Sequence, residues 1–137
     1  MESRVQKTLE NHKKGYNCAQ AVACAYCDLV GMDEQSAFRA TEALGLGMGG
    51  MQATCGAVSG AVMLAGLKNS CGDLEAPMSK GKTYQISKKI VEGFQKKNGA
   101  TVCKDLKGVE TGHPLRSCDG CIEDAAELVE QILFSEE

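Results

Sequence analysis

Eight cysteines occur in 137 residues, and four of them, Cys18, Cys55, Cys103 and Cys118, fall where a helix is expected to begin. A thiol in that position faces free backbone N–H groups and the positive end of the helix dipole, which favours its thiolate, and thiolates bind metals or carry out redox chemistry. Cys18 and Cys55 are therefore expected to ionise readily. Four such sulfurs from four separated segments suit a tetrathiolate centre, provided the fold brings them together. Without a metal, the redox thiol candidates are Cys18, Cys55, Cys118 and Cys121. The last two form a Cys118-Asp119-Gly120-Cys121 pair, whose helix-start position and internal glycine favour an attacking thiolate or a metal knuckle.

The remaining candidates carry weaker signals. Cys24 and Cys27 are spaced as C-x-x-C, but in mid-helix their side chains run along one face with no turn to curl them around a metal. Cys24 and Cys71 read as small buried apolar residues, the ordinary fate of a cysteine. His12 and His113 are single and read as surface residues, His113 being the better ligand candidate because it lies near Cys118. The run Gly45-Leu46-Gly47-Met48-Gly49-Gly50 has the glycine density of a phosphate loop, yet no strand precedes it and no acidic residue is placed to receive a ribose. Its backbone, at Gly47, Gly49 and Gly50, is instead free to approach a cofactor closely and donate N–H groups to cluster sulfurs. A serine triad, an HExxH motif and paired carboxylates are all missing from the sequence, so hydrolase chemistry has no support.

The elements that must position these sulfurs are helical. A first helix is expected over about 3–14, closed by Gly15, and Asn17 caps a second over 18–30 that Gly31 ends. Asp33 caps a third that reaches Leu44. Residues 45–53 read as a flexible loop, after which Thr54 caps a small-residue helix over 55–67 whose Gly56, Gly60 and Ala61 allow a neighbour unusually close. Pro77 marks the start of a long amphipathic helix ending at Asn98-Gly99, with Lys80, Lys82, Lys88, Lys89, Lys96 and Lys97 as a solvated outer face. Cys103 to Leu106 forms one turn, residues 108–116 form a loop around Pro114, and the last helix runs over about 119–134. The expectation is an all-α, single-domain bundle of about six helices spanning residues 1–137, with the glycine-rich loop before a central small-residue helix.

Composition agrees with that class. Three Tyr, three Phe, no Trp and two Pro suit a helical core of Ala, Val, Leu, Ile and Met. Net charge is −3 and the basic residues are interleaved with acids, which argues against a nucleic-acid partner. No stretch approaches the roughly 18 apolar residues of a membrane span, and the first residues lack the pattern of an export signal, so a cytoplasmic protein is expected. In a reducing cytoplasm, metal binding or redox turnover explains eight cysteines better than a disulfide framework does. A small-residue helix and exposed apolar positions make a homodimer reasonable.

The order of motifs, Asn17-Cys18-Ala19-Gln20-Ala21-Val22, then the glycine-rich run into Cys55-Gly56-Ala57-Val58-Ser59-Gly60-Ala61, then Cys103, then Cys118 with Gly120 and Ile122-Glu123-Asp124-Ala125-Ala126, resembles the C_GCAxxG_C_C family, a group labelled redox-active, across nearly the whole chain. The label has the order Gly-Cys-Ala, whereas here Cys55 precedes Gly56. Cys118 corresponds to the final family cysteine and Cys121 to an addition, with the opposite register as the alternative. The resemblance implies a small helical protein of a type common in anaerobes, related to the helical part of split-Soret cytochrome, and an iron–sulfur centre. No C-x-x-C-H haem attachment occurs, since Asp28 follows Cys27 and Ile122 follows Cys121.

The resulting expectation is an electron-transfer protein in which Cys18, Cys55, Cys103 and Cys118 ligate an iron–sulfur cluster, beside Gly47, Gly49 and Gly50, and which serves a redox partner protein. A metal-free thiol–disulfide protein or sensor is the first alternative, and a structural zinc site in a helical interaction module the second. Were the protein an enzyme, it would be an oxidoreductase.

Overall fold

Helix starts are written into the local sequence. Asn17 Oδ1 accepts from the Gln20 N–H at 2.9 Å while Gln20 Oε1 accepts from the Asn17 N–H at 2.9 Å, a reciprocal cap. Asp33 Oδ2 accepts from Ser36 N–H at 3.0 Å, and Ser117 Oγ from Gly120 N–H at 3.0 Å. Each such cap contributes about 1 kcal/mol.

In the computed structural model, which describes residues 1–135, seven helices follow: α1 (Val5–Lys13), α2 (Cys18–Tyr26), α3 (Glu34–Thr41), α4 (Gly56–Asn69), α5 (Lys80–Asn98), α6 (Cys103–Lys107) and α7 (Cys118–Leu133). Among the described residues there is no strand, only an isolated antiparallel bridge between Thr54 and Val102. No helix among them is long and apolar enough to cross a membrane. The all-α bundle expected from the sequence is the fold observed.

The central helix is α4, which packs against α2, α5 and α7, while α1 and α3 cover α2. A Cβ at Gly60 would stand 2.6 Å from the Ala19 carbonyl oxygen, so α2 and α4 touch backbone to backbone there. Around this contact Val22, Tyr26, Val58, Leu64, Ile90, Phe94, Ile122 and Val129 form one core. Burying a large apolar side chain of this kind contributes about 1.5–3 kcal/mol.

Buried polar groups tie the helices together. Asp124 is 1 % exposed and receives Arg116 Nε at 3.0 Å, Arg116 Nη2 at 3.2 Å and Lys97 Nζ at 2.9 Å. Lys97 is thus an interhelical tie from α5 to α7 and not only part of a solvated face. Glu130 Oε2 accepts from the Tyr26 hydroxyl and from the Arg4 N–H, both at 2.6 Å, linking α7 to α2 and to the entry of α1.

Several boundaries differ from the sequence expectation for identifiable reasons. The second helix stops at Tyr26 and tightens into a 3-10 turn, Cys27–Val30, and α3 does the same over Glu42–Leu44. α5 begins at Lys80 and not at Pro77. Residues ahead of it fold on themselves, with Asp73 Oδ1 accepting from Glu75 N–H at 3.0 Å and Ser79 Oγ from Cys71 N–H at 3.0 Å. Thr54 is engaged in the bridge, so Cys55 itself occupies the cap position of α4, with no side-chain cap bond. The glycine-rich segment is no open coil either. Gly47–Met51 forms a kinked turn, non-helical at Met48 and Gly49, and Leu46 just before it, Met48 and Met51 hold left-handed backbone (φ 55°, 63° and 64°). Each such non-glycine residue costs about 1–2 kcal/mol.

Candidate functional site

One end of the bundle gathers the first residues of four helices. The device that aligns two of them is the Thr54–Val102 bridge: Cys55 N–H donates to Thr101 O at 2.7 Å and Cys103 N–H to Ala53 O at 3.0 Å. The entries to α4 and α6 therefore run antiparallel with Cys55 and Cys103 at neighbouring positions. Cys18 enters from α2, and its sulfur lies where a Cβ on Gly56 would stand, so only a glycine in the first turn of α4 leaves it room. Gly47 lies similarly flat on Cys103: its Cβ would stand 2.6 Å from the Cys103 Cβ, and its φ of +56° is itself one that glycine adopts most cheaply. Gly49 and Gly50, by contrast, have nothing within 4 Å of where a Cβ would be. Of the three glycines expected to approach a cofactor, only Gly47 abuts a pocket cysteine.

The sulfurs form a connected group. Cys18 makes a side-chain contact with Cys55, and Cys55 makes one with Cys121. Cys103 lies within charge–charge range of Cys18 and Cys118. Cys55 is 5 % and Cys121 3 % exposed, Cys103 is buried, and Cys18 and Cys118 are half-buried at the rim. The backbone of Leu46 and Ala19 hydrogen-bonds toward Cys18, and that of Ala57 toward Cys55. The glycine-rich run thus supplies one donor, at Leu46, and the first turns of α2 and α4 supply the others. Lys107 Nζ stands 3.0 Å from Cys118 Sγ.

Ionisation runs opposite to the expectation for the two leading thiols. Contact with Cys55, then burial, pushes the Cys18 thiol well up. Contact with Cys121 and burial push Cys55 up to about 12, although its bond with Cys18 works the other way. Burial raises Cys103 also. Helix-start amides are present, but crowded, desolvated sulfurs oppose a neighbouring negative charge more strongly than those amides favour one.

A family profile recognises nearly the whole chain, this sulfur-lined end included. The profile of the family described as "Putative redox-active protein (C_GCAxxG_C_C)" matches residues 16–132. The chain belongs to this family. Comparison with curated proteins and with solved structures gave no match. The matched span of this C_GCAxxG_C_C chain holds all eight cysteines, of which the fold brings five together, Cys121 among them.

The other cysteines lie elsewhere. Cys24 and Cys27 are buried beneath α3 against Ala37, with Tyr16, Met32 and Phe38 around them. Their sulfurs point at the carbonyls of Glu34 (3.8 Å) and Cys24 (3.6 Å) respectively. Cys71, expected to be buried, is exposed in the 70–79 loop, where the Ser79 hydroxyl and backbone groups bring its thiol down to about 7. His12 pairs with Asp119 at 2.7 Å and His113 is exposed.

Lys107 is the residue beside these sulfurs that inspection of motifs misses. Its only sequence signal is its place four residues after Cys103, which sets both on one face of α6.

Proposed function

We propose that this redox-active protein transfers electrons through an iron–sulfur cluster held by Cys18, Cys55, Cys103 and Cys118, exchanging them with a redox partner protein. The observation that carries the reading is the meeting of four helix-start sulfurs, from α2, α4, α6 and α7, in one pocket with a cation at its rim. The donor chemistry fits: an all-sulfur set suits iron–sulfur or zinc, and backbone N–H groups aimed at sulfur are a recognised means of tuning a cluster. Among the described residues no three Cys, His, Asp or Glu side chains stand close enough to share a single ion. A tetrahedral zinc site needs sulfurs about 3.8 Å apart, given bonds of about 2.3 Å.

In this reading the cluster supplies a one-electron change, and the chain's residues do the rest. Gly47 and Gly56 leave space for the sulfurs of the pocket, α4 and α7 exclude water behind them, and the half-buried Cys18 and Cys118 mark the face toward solvent. The three left-handed residues of the 46–51 turn concentrate backbone strain beside this face, as functional sites often do.

One observation favours a second reading. The contacts of Cys55 with both Cys18 and Cys121 suit a metal-free dithiol–disulfide cycle. Purification without oxygen decides between the two: iron and acid-labile sulfide with visible absorbance bleached by dithionite are expected, whereas a colourless, iron-free protein that forms a Cys55 disulfide on exposure to oxidised glutathione sinks the first reading and supports the second.

A further inference from the structure

The pocket's cation is held in place by backbone as well as by its own side chain. Gly108 closes α6 in left-handed conformation (φ +69°), and a Cβ there would lie 2.5 Å from the backbone of His113 and Pro114, so the corner after Lys107 is pressed flat against the 113–114 segment. Leu115 N–H and Arg116 N–H then donate to Leu106 O at 2.9 and 3.3 Å. Two residues later comes Cys118. The segment that delivers Cys118 is thus tied by main-chain bonds to the helix that delivers Lys107, and their 3.0 Å contact closes a small rigid unit. Lys104, on the same helix, pairs with Glu110 at 3.5 Å instead.

We propose that Lys107 is a positioning residue that sets the reduction potential of the sulfur pocket, acting through Cys118; the inference rests on the iron–sulfur reading above. Reduction brings one electron into the pocket, and with it one negative charge, with no bond made or broken. A positive charge fixed against one of the ligating sulfurs lowers the energy of the reduced form more than that of the oxidised form, so it raises the potential. Coulombic influence falls with distance and with water between the charges, so the exposed lysines of α5 have far less effect. Lys107 is half-buried and in direct contact.

The test compares the full chain, loaded without oxygen, with Lys107→Met, Lys107→Gln and Lys107→Arg. Iron, sulfide and helical content are measured alongside a dithionite-driven, dye-mediated potential titration. The Met and Gln variants are expected to hold wild-type amounts of iron and sulfide and to titrate at a more negative potential, by similar amounts, while Arg restores the wild-type value. Wild-type potentials in loaded Met and Gln variants would overturn the assignment. So would loss of iron from both neutral variants, which would give Lys107 a role in assembly. A wild-type chain that takes up neither iron nor sulfide sinks the underlying reading, and this assignment with it, and is recognised before any variant is measured.

Discussion

Two regions of this molecule bury cysteine, and they do different things with it. At the end of α2, Cys24 and Cys27 are enclosed by Ala37, Tyr16, Met32 and Phe38, and each sulfur rests against a carbonyl oxygen. A carbonyl can only accept, so it holds a thiol as a thiol. At the opposite kind of site, the starts of α2, α4, α6 and α7 bring sulfur against sulfur, with backbone donors and the Lys107 ammonium among them. Burial is common to both; what distinguishes the second is that sulfurs from separate helices lie beside one another, with the Lys107 ammonium in direct contact with one of them.

The largest effect expected from this contrast is on metal content. Cys18→Ala or Cys55→Ala should lose nearly all iron and sulfide in anaerobically loaded protein, whereas Cys24→Ala should retain the wild-type amount. Equal loss from Cys24→Ala would erase the distinction between the two regions.

Next in size is the anchoring of α7, which carries Cys118 and Cys121. Asp124→Asn removes the buried carboxylate that Arg116 and Lys97 bond, and loss of hydrogen bonds to such a charged group costs about 1.5–3 kcal/mol, read as a shift in the urea midpoint. Although burial alone works the other way, Arg116 and Lys97 hold the Asp124 carboxyl below its usual range. Its contribution is therefore fully present above the unfolded value near pH ~4 and is lost as pH falls through the lower folded value. Urea midpoints of the wild type should decline in that acid window, and those of Asp124→Asn should decline less.

A smaller effect separates two glycines of one loop. Gly47→Ala drives a Cβ into Cys103 from a left-handed backbone, and overpacking of this kind costs about 1–3 kcal/mol. Gly50→Ala meets open space and should leave thermal stability and iron content unchanged. The smallest effect sets the buried sulfurs against the exposed one. In metal-free native protein, iodoacetamide should alkylate Cys71 first, at a rate that climbs through pH about 7, while Cys55, pushed up to about 12, reacts far more slowly. Peptide mapping reads the order, and later iron loading should be unaffected by the label on Cys71.

Much of this arrangement is legible in the residues. Asn17 and Asp33 announce helices through caps that involve residues three positions away, and Gly60 announces a close crossing through its missing side chain. Local signals of this sort survive without knowledge of the fold. The bridge between Thr54 and Val102 does not, because nothing in either segment names the other. The ionisation of Cys18 and Cys55 fails for a related reason: the helix start is local and favours the thiolate, but the opposing sulfurs arrive from distant segments and burial adds to them. Cys71 was equally opaque, since its exposure follows from a loop closed by Asp73 and Ser79. Lys107 looks like any surface lysine until the 113–118 segment is laid beside it.

The sulfurs stand at the heads of α2, α4, α6 and α7, separated by long stretches of chain. They meet only where those helices are docked together, so the pocket joins distant stretches of the chain and acts as a clasp on the bundle. Whatever binds there is coupled to the cohesion of the whole molecule, and a chelator that empties it should soften helices far from any cysteine.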